Sequence, residues 1–155
     1  MSYRWKPSVT VAAVIERDGR FLLVEEETAD GLRFNQPAGH LEAGESLLQA
    51  VARETMEETA HPFTPEYLVG IYQWPRPQGD AAYLRFAFSG QAGEGDPTRT
   101  LDDGIVRAVW MTLEELYATR ARHRSPLVLQ CVEDWLSGRR YGLELLHYYG
   151  SESLP

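Results

Sequence analysis

The apolar and β-branched residues of this chain fall into short segments separated by turn chemistry. Residues 9–16 and 21–27 read as β-strands, joined by Arg17-Asp18-Gly19-Arg20, a hairpin signal. Residues 32–35 predict a short strand that feeds a loop built on Pro37, Ala38, Gly39 and Gly44. From Ser46 to Thr59 the period lengthens. Leu48, Val51, Ala52 and Thr55 recur at helical spacing and define an inner face. Residues 67–74 and 82–89 predict a second strand pair around Pro75-Arg76-Pro77-Gln78-Gly79-Asp80, whose prolines and glycine exclude regular structure. A Gly, Asp, Thr and Pro-rich loop follows over 91–101, then a strand over 105–111. Thr112, with Glu115 three residues on, predicts a capping box, and 125–136 supplies the last long helix. Strands alternating with helices around antiparallel hairpins predict an α/β fold, a mixed sheet with helices on both faces. With no repeats and no dividing linker, residues 1–155 are expected to form a single domain.

Composition narrows the function. A chain of 155 residues with 43% apolar content can bury about 70% of its unfolded surface. A net charge of −8, from 15 Lys and Arg against 23 acids, argues against long nucleic acid, which needs a basic footprint. Cys131 is the only cysteine, so neither an intrachain disulfide nor a Cys-based zinc site can form. It lies in an apolar-periodic helix and reads as core, not nucleophile. The N-terminal Met1-Ser2-Tyr3-Arg4-Trp5-Lys6-Pro7 lacks a hydrophobic region, and no apolar run approaches the roughly 20 residues that span a bilayer. The expectation is a cytoplasmic monomer or small homo-oligomer without membrane contact.

The chemistry concentrates in Gly39-His40-Leu41-Glu42-Ala43-Gly44-Glu45 and Arg53-Glu54-Thr55-Met56-Glu57-Glu58. At ordinary residue frequencies, Gly39, Glu45, Arg53, Glu54, Glu57 and Glu58 at these offsets should arise by chance in only about one in 10^5 chains of this length. On a helix, Glu54, Glu57 and Glu58 fall within an arc of roughly 100°, flanking the apolar stripe and so facing a cleft. Glu54 and Glu58 repel as an i,i+4 pair, by about 0.2–0.5 kcal/mol in an isolated helix. A divalent cation would reverse that sign. Converging carboxylate oxygens suit Mg²⁺ or, as a substitute, Mn²⁺, which borrow further ligands from substrate phosphates. Glu-rich helices are more often merely solvated; the glycine loop and Glu45 at fixed offsets separate this one from that class. Arg53 and Glu57 are also i,i+4 neighbours, so Arg53 is expected to orient a carboxylate, and Glu45 to brace the loop against the helix.

The pattern resembles the Nudix box over residues 39–61, with Thr55, Ala60 and His61 departing from the usual apolar, Gly and apolar residues. Ala60 bears on the helix exit, where Gly normally supplies the left-handed residue; here Pro62 is expected to stop the helix. Further resemblance lies in Asn35-Gln36-Pro37-Ala38-Gly39-His40-Leu41-Glu42, Gln73-Trp74, Leu84-Arg85-Phe86, Arg124-Ser125-Pro126-Leu127-Val128 and Ser137-Gly138-Arg139-Arg140-Tyr141. Over about residues 8–146 the chain is similar to the NudJ-type phosphatase branch of that family. The resemblance implies an α/β/α sandwich and Mg²⁺ held by Glu54, Glu57, Glu58 and the backbone of Gly39. It also implies hydrolysis of phosphoanhydrides in nucleoside di- and triphosphates, or in pyrimidine or thiamine diphosphates, with release of phosphate. The residues alone reach only metal-dependent phosphoryl or pyrophosphoryl chemistry. Two other readings stand beside it: an ADP-ribose or dinucleotide pyrophosphatase, and a nucleotide-binding regulatory module without catalysis. The module would have no need of all five charged box residues.

Outside the box the readings are paired. Trp74, at a strand exit before Pro75, either stacks a base or packs the core. Arg85 and Arg33 either meet phosphate or pair with a surface acid. His40 either donates to phosphate or satisfies the loop. Metal-bound carboxylates are poor proton acceptors, and across Nudix-like enzymes the base is a box glutamate or a later loop carboxylate. Asp102 or Asp103 is therefore expected to assist water activation, although Asp102-Asp103-Gly104 also reads as an ordinary turn.

Overall fold

The computed structural model describes residues 2–76 and 82–150. The part of the proline loop from Pro77 to Asp80 lies outside them. Strands β1 (Ser8–Val14) and β2 (Glu16–Arg17) precede β3 (Arg20–Thr28), β4 (Gly31–Asn35) and β5 (Ala38–His40). Helix α1 (Leu47–Thr59) is followed by the long strands β6 (Phe63–Pro75) and β7 (Ala82–Ala92), then β8 (Ile105–Thr112). Helices α2 (Leu113–Ala118) and α3 (Leu127–Leu136) and the short strand β9 (Tyr141–Gly142) complete the order.

A five-stranded mixed sheet runs β5-β1-β7-β6-β9, with β1 and β7 parallel and its other pairs antiparallel. In a second, antiparallel sheet β3 pairs with β2, β4 and β8. Consecutive residues on the central strands serve opposite cores, because side chains alternate across a strand. Ala13, Leu22, Leu68 and Phe88 pack with Ala50 and Val51 of α1, whereas Val14, Leu23, Val69 and Ala87 pack with Val128, Cys131 and Val132 of α3. The result is the α/β/α sandwich, and it explains why these strands are apolar at successive positions. Asp18 and Gly19, with φ of 53° and 79°, form the two-residue turn between Arg17 and Arg20.

The structure departs from the sequence pattern in four places. Residues 38–40 form an edge strand paired with β1, where a loop was expected; three residues are too few to show an alternation. Strand β6 starts at Phe63, four residues early, and absorbs Pro65 through register shifts at Pro65/Tyr67 and Leu68/Gly70. Thr112 caps α2 by accepting the Glu115 N–H, but the reciprocal half of the expected capping box is not present. The helix exit is made by Ala60 itself, which takes the left-handed conformation (φ 59°, ψ 22°) and donates its N–H to the Met56 carbonyl. A methyl group there costs about 1 kcal/mol relative to glycine.

Candidate active site

Helix α1 begins at a reciprocal cap: Ser46 Oγ accepts the Gln49 N–H at 3.1 Å, and Gln49 Oε1 accepts the Ser46 N–H at 2.8 Å. Its buried face comprises Ala50, Val51, Glu54, Thr55, Glu58 and Thr59. Leu48 and Ala52, expected inside, are only partly buried. The stripe is rotated so that two carboxylates lie within it, and Thr55 fits because its hydroxyl donates to the Val51 carbonyl at 2.8 Å.

Arg53 is the hub of the box. Its Nε and Nη2 donate to the two oxygens of Glu45 at 2.9 and 2.8 Å, and its Nη1 donates to Glu54 at 2.9 Å and Glu57 at 3.1 Å. Nη2 also reaches the His40 carbonyl at 3.1 Å. Glu45 in turn accepts the Glu42 N–H at 2.9 Å, so one guanidinium joins the glycine loop, the end of β5 and the acidic face of α1. The Arg53 hydrogen bond holds the Glu45 carboxyl below its ordinary value.

Carboxylate oxygens of Glu54, Glu57 and Asp102 lie within 4.8 Å of one another. Asp102 is brought there by its backbone, whose N–H donates to the Glu57 carbonyl at 2.9 Å. The turn expected at 102–104 is present, with Gly104 at φ 87°; both aspartates are exposed, and Asp102 is directed at the helix while Asp103 is outside the group. Glu58 is also outside this group. It is buried and accepts the Ala38 N–H at 2.9 Å, and burial pushes its carboxyl up to about 8, with Glu54, Glu26 and Asp102 adding repulsion. Burial raises Glu54 as well, against the opposing pull of Arg53. Gly39 lies under Glu54 so closely that a Cβ there would sit 2.1 Å from the Glu54 carboxyl carbon. Three hard oxygen donors with clashing charge fit a divalent cation.

Of these carboxylates Glu54 and Glu58 border a cleft of about 420 Å³ that also reaches Trp74, Tyr83, Arg76, Arg85 and Arg124, while Glu57 and Asp102 adjoin it through Glu54. Trp74 and Tyr83 are cross-strand partners with rings 6.1 Å apart and 14° from parallel, an aromatic shelf. Arg85 is only 6% exposed. Its Nη1 donates to Gln36 Oε1 and its Nη2 to Asn35 Oδ1, both at 2.9 Å. It is not a surface residue, and among the described residues it forms no ion pair. Arg33 is not among the cleft residues; its guanidinium donates to the Leu32 carbonyl at 3.2 Å on β4. His40 is exposed at the rim, its ring 6.5 Å from Tyr83. Sequence reasoning missed Asn35 and Gln36 as holders of Arg85, and the Glu26–Arg124 pair (2.8 Å) in the cleft wall. The only signal was the polar pair Asn35-Gln36 set between Phe34 and Pro37, at the entry to the glycine segment.

An acidic, metal-compatible helix face against a glycine segment, facing a cleft with a buried arginine, defines a hydrolase of phosphorylated small molecules. The NUDIX domain family model matches residues 4–131, and the chain belongs to the Nudix family. It is 40% identical over 142 residues, 92% of each chain, to Phosphatase NudJ of Escherichia coli. A NUDIX hydrolase from Nitrosomonas europaea is 56% identical and superposes with a TM-score of 0.90 over 93% of this chain and 98% of that one. A UDP-X diphosphatase, 20% identical, shares the fold with a TM-score of 0.72 over 91% of this chain and 68% of its own. The chain is a Nudix hydrolase, an enzyme that cleaves phosphoanhydride bonds, and Nudix hydrolases use divalent metal ions. No helix among the described residues is long and apolar enough to cross a membrane.

Proposed function

We propose that this enzyme hydrolyses nucleoside di- or triphosphates, or related small organic diphosphates of the pyrimidine or thiamine type, and releases phosphate. The observation that carries the reading is one cleft lined by the Glu54 and Glu58 carboxylates, by Arg85 and by the aromatic shelf of Trp74 and Tyr83. The name of the 40% identical relative, a phosphatase, supports phosphate as the product. In this reading Mg²⁺, with Mn²⁺ as substitute, is held by Glu54, Glu57 and Asp102, with Gly39 leaving room for the Glu54 carboxylate. Glu58 backs the site from inside by holding the Ala38 amide. A bound cation there would neutralise phosphate charge and polarise a phosphoryl oxygen. Arg53 is a positioning residue that fixes Glu54 and Glu57, and Glu45 braces it. Arg85 meets phosphate and Trp74 stacks the ring. Asp102 takes part, and Asp103 and Arg33 stay outside the reaction. The enzyme works as a single domain, a cytoplasmic monomer or small homo-oligomer.

The test is a panel of nucleoside di- and triphosphates, thiamine diphosphate, ADP-ribose and dinucleotides, scored for products with Mg²⁺ and with chelator. Orthophosphate from the first group supports the reading. Two nucleoside monophosphates from a dinucleotide, without orthophosphate, would make the enzyme a pyrophosphatase instead. Binding without turnover would make it a regulatory module.

A further inference from the structure

Arg85 is a nearly buried cation whose hydrogen-bond partners among the described residues are all neutral: the amide oxygens of Asn35 and Gln36 at 2.9 Å and the Cys131 sulfur at 3.9 Å. Buried charges in proteins are ordinarily paired, since an uncompensated one is costly. Here the supports are themselves fixed. Gln36 is 1% exposed and donates from Nε2 to the Val128 carbonyl in the first turn of α3 at 2.6 Å. That bond leaves its Oε1 turned toward Arg85. The fork is thus aimed and held, while no carboxylate among the described residues forms an ion pair with it.

Strand register says where along the cleft that counter-charge belongs. Arg85 pairs with Thr10 on one side and Tyr72 on the other, and Thr10 pairs with His40. At about 4.8 Å per strand, Arg85 is roughly 10 Å across the sheet from the β5 end where the α1 carboxylates sit. Trp74 is one strand further and two residues along, roughly 8 Å beyond. The order is therefore carboxylates, Arg85, aromatic shelf. A ligand whose reacting phosphate is at the first and whose ring is at the last places its ring-proximal phosphate at Arg85.

We infer that Arg85, aimed by Asn35 and Gln36, binds the phosphate that remains on the organic fragment, so that the site selects substrates whose product is an organic monophosphate. This rests on the phosphate-releasing reading above. In that reaction water forms a new bond to the terminal phosphorus and the bridging P–O bond breaks, its electron pair staying on the retained phosphate. For a diphosphate substrate the products are orthophosphate, an organic monophosphate and, at neutral pH, a proton. Negative charge therefore grows beside Arg85 as the bond breaks, and substrates with a neutral group at that position forfeit the interaction.

The experiment measures binding of uridine and adenosine 5′-monophosphates, each against its nucleoside, by calorimetry in chelator, which removes metal from the comparison. For at least one pair the wild-type protein should bind the monophosphate at least about tenfold more tightly than the nucleoside. Arg85→Gln should abolish that preference, and Arg85→Lys should keep part of it. Asn35→Asp supplies an internal anion for Arg85, so it should erase the preference without lowering the melting temperature. That variant stays informative even if Arg85→Gln fails to fold, because a purely structural Arg85 would leave the preference intact. A wild-type protein indifferent to the phosphate, or Asn35→Asp protein with an unchanged preference, overturns the inference. Phosphate release by the wild type with Mg²⁺, measured in parallel, separates the two readings. Hydrolysis without Arg85-dependent binding defeats only this inference, whereas Arg85-dependent binding without hydrolysis defeats only the phosphate-releasing reading.

Discussion

Gly39→Ala isolates one contact on which the acidic site depends. A Cβ at residue 39 would lie 2.1 Å from the Glu54 carboxyl carbon and 2.2 and 2.4 Å from its oxygens, where ordinary contact begins at 3.4 Å. The Glu54 carboxylate must therefore retreat by more than an ångström. It has little freedom to do so without loss, because its Oε1 is 2.9 Å from Arg53 Nη1 and its oxygens lie within 4.8 Å of those of Glu57 and Asp102. Losing one charge-assisted bond at a mostly buried residue should cost about 1–3 kcal/mol, or several degrees in melting temperature. Displacing a reacting group by an ångström should cost about 10^2-fold in turnover. Two assays read this: kcat as a function of Mg²⁺ concentration, and the rise in melting temperature on adding Mg²⁺, which reports binding to the native state alone. The variant should lose most of both. A shorter side chain gives back the space, so Gly39→Ala with Glu54→Asp should recover part of the Mg²⁺ response that either change alone removes. If Gly39→Ala keeps kcat and the Mg²⁺ shift within twofold of wild type, the contact between residue 39 and Glu54 does not govern the site.

Arg53→Lys should lower kcat by at least about tenfold with a smaller change in KM, since an ammonium cannot hold Glu45, Glu54 and Glu57 together; a raised KM alone would move Arg53 to substrate binding. Asp102→Asn should weaken the Mg²⁺ shift and turnover while Asp103→Asn leaves both near wild type, and equal effects would refute the grouping of Asp102 with Glu54 and Glu57. Because Glu58 is raised from 4.5 to about 8, the folded metal-free protein binds this proton more tightly than the unfolded chain does. Its contribution is complete below 4.5 and is lost as pH rises through about 8. Calorimetry in chelator should show this contribution to the melting temperature falling between about pH 4.5 and 8 and levelling off above that, and Glu58→Gln should flatten that limb. Glu25 and Glu45 are lowered and lose their contribution only in acid, outside that window.

Local chemistry determined much of this protein. Apolar runs at 9–16 and 21–27, the Asp18-Gly19 turn and the helix period after Ser46 each encode an element within a few residues, so the sandwich was legible from the chain. Spacing alone put Glu54, Glu57 and Glu58 on one helix face, because the helical angle per residue is fixed. What the helix wheel could not say is how that face would be divided. Packing of Ala50 and Val51 against the sheet turned Glu54 and Glu58 inward, and the Ala38 amide took Glu58. Asp102, 45 residues beyond Glu57, arrived through a backbone bond to the Glu57 carbonyl that no local pattern encodes. The same holds for Arg85. Its strand alternation reads equally well as a solvent-facing arginine, and only the pairing of β7 with β1 and the approach of Asn35, Gln36 and α3 made it a buried cation. The sequence set the elements and the donor inventory because both depend on neighbours along the chain; which donors meet is decided by contacts between residues far apart in it, and these exist only once the sheets have closed.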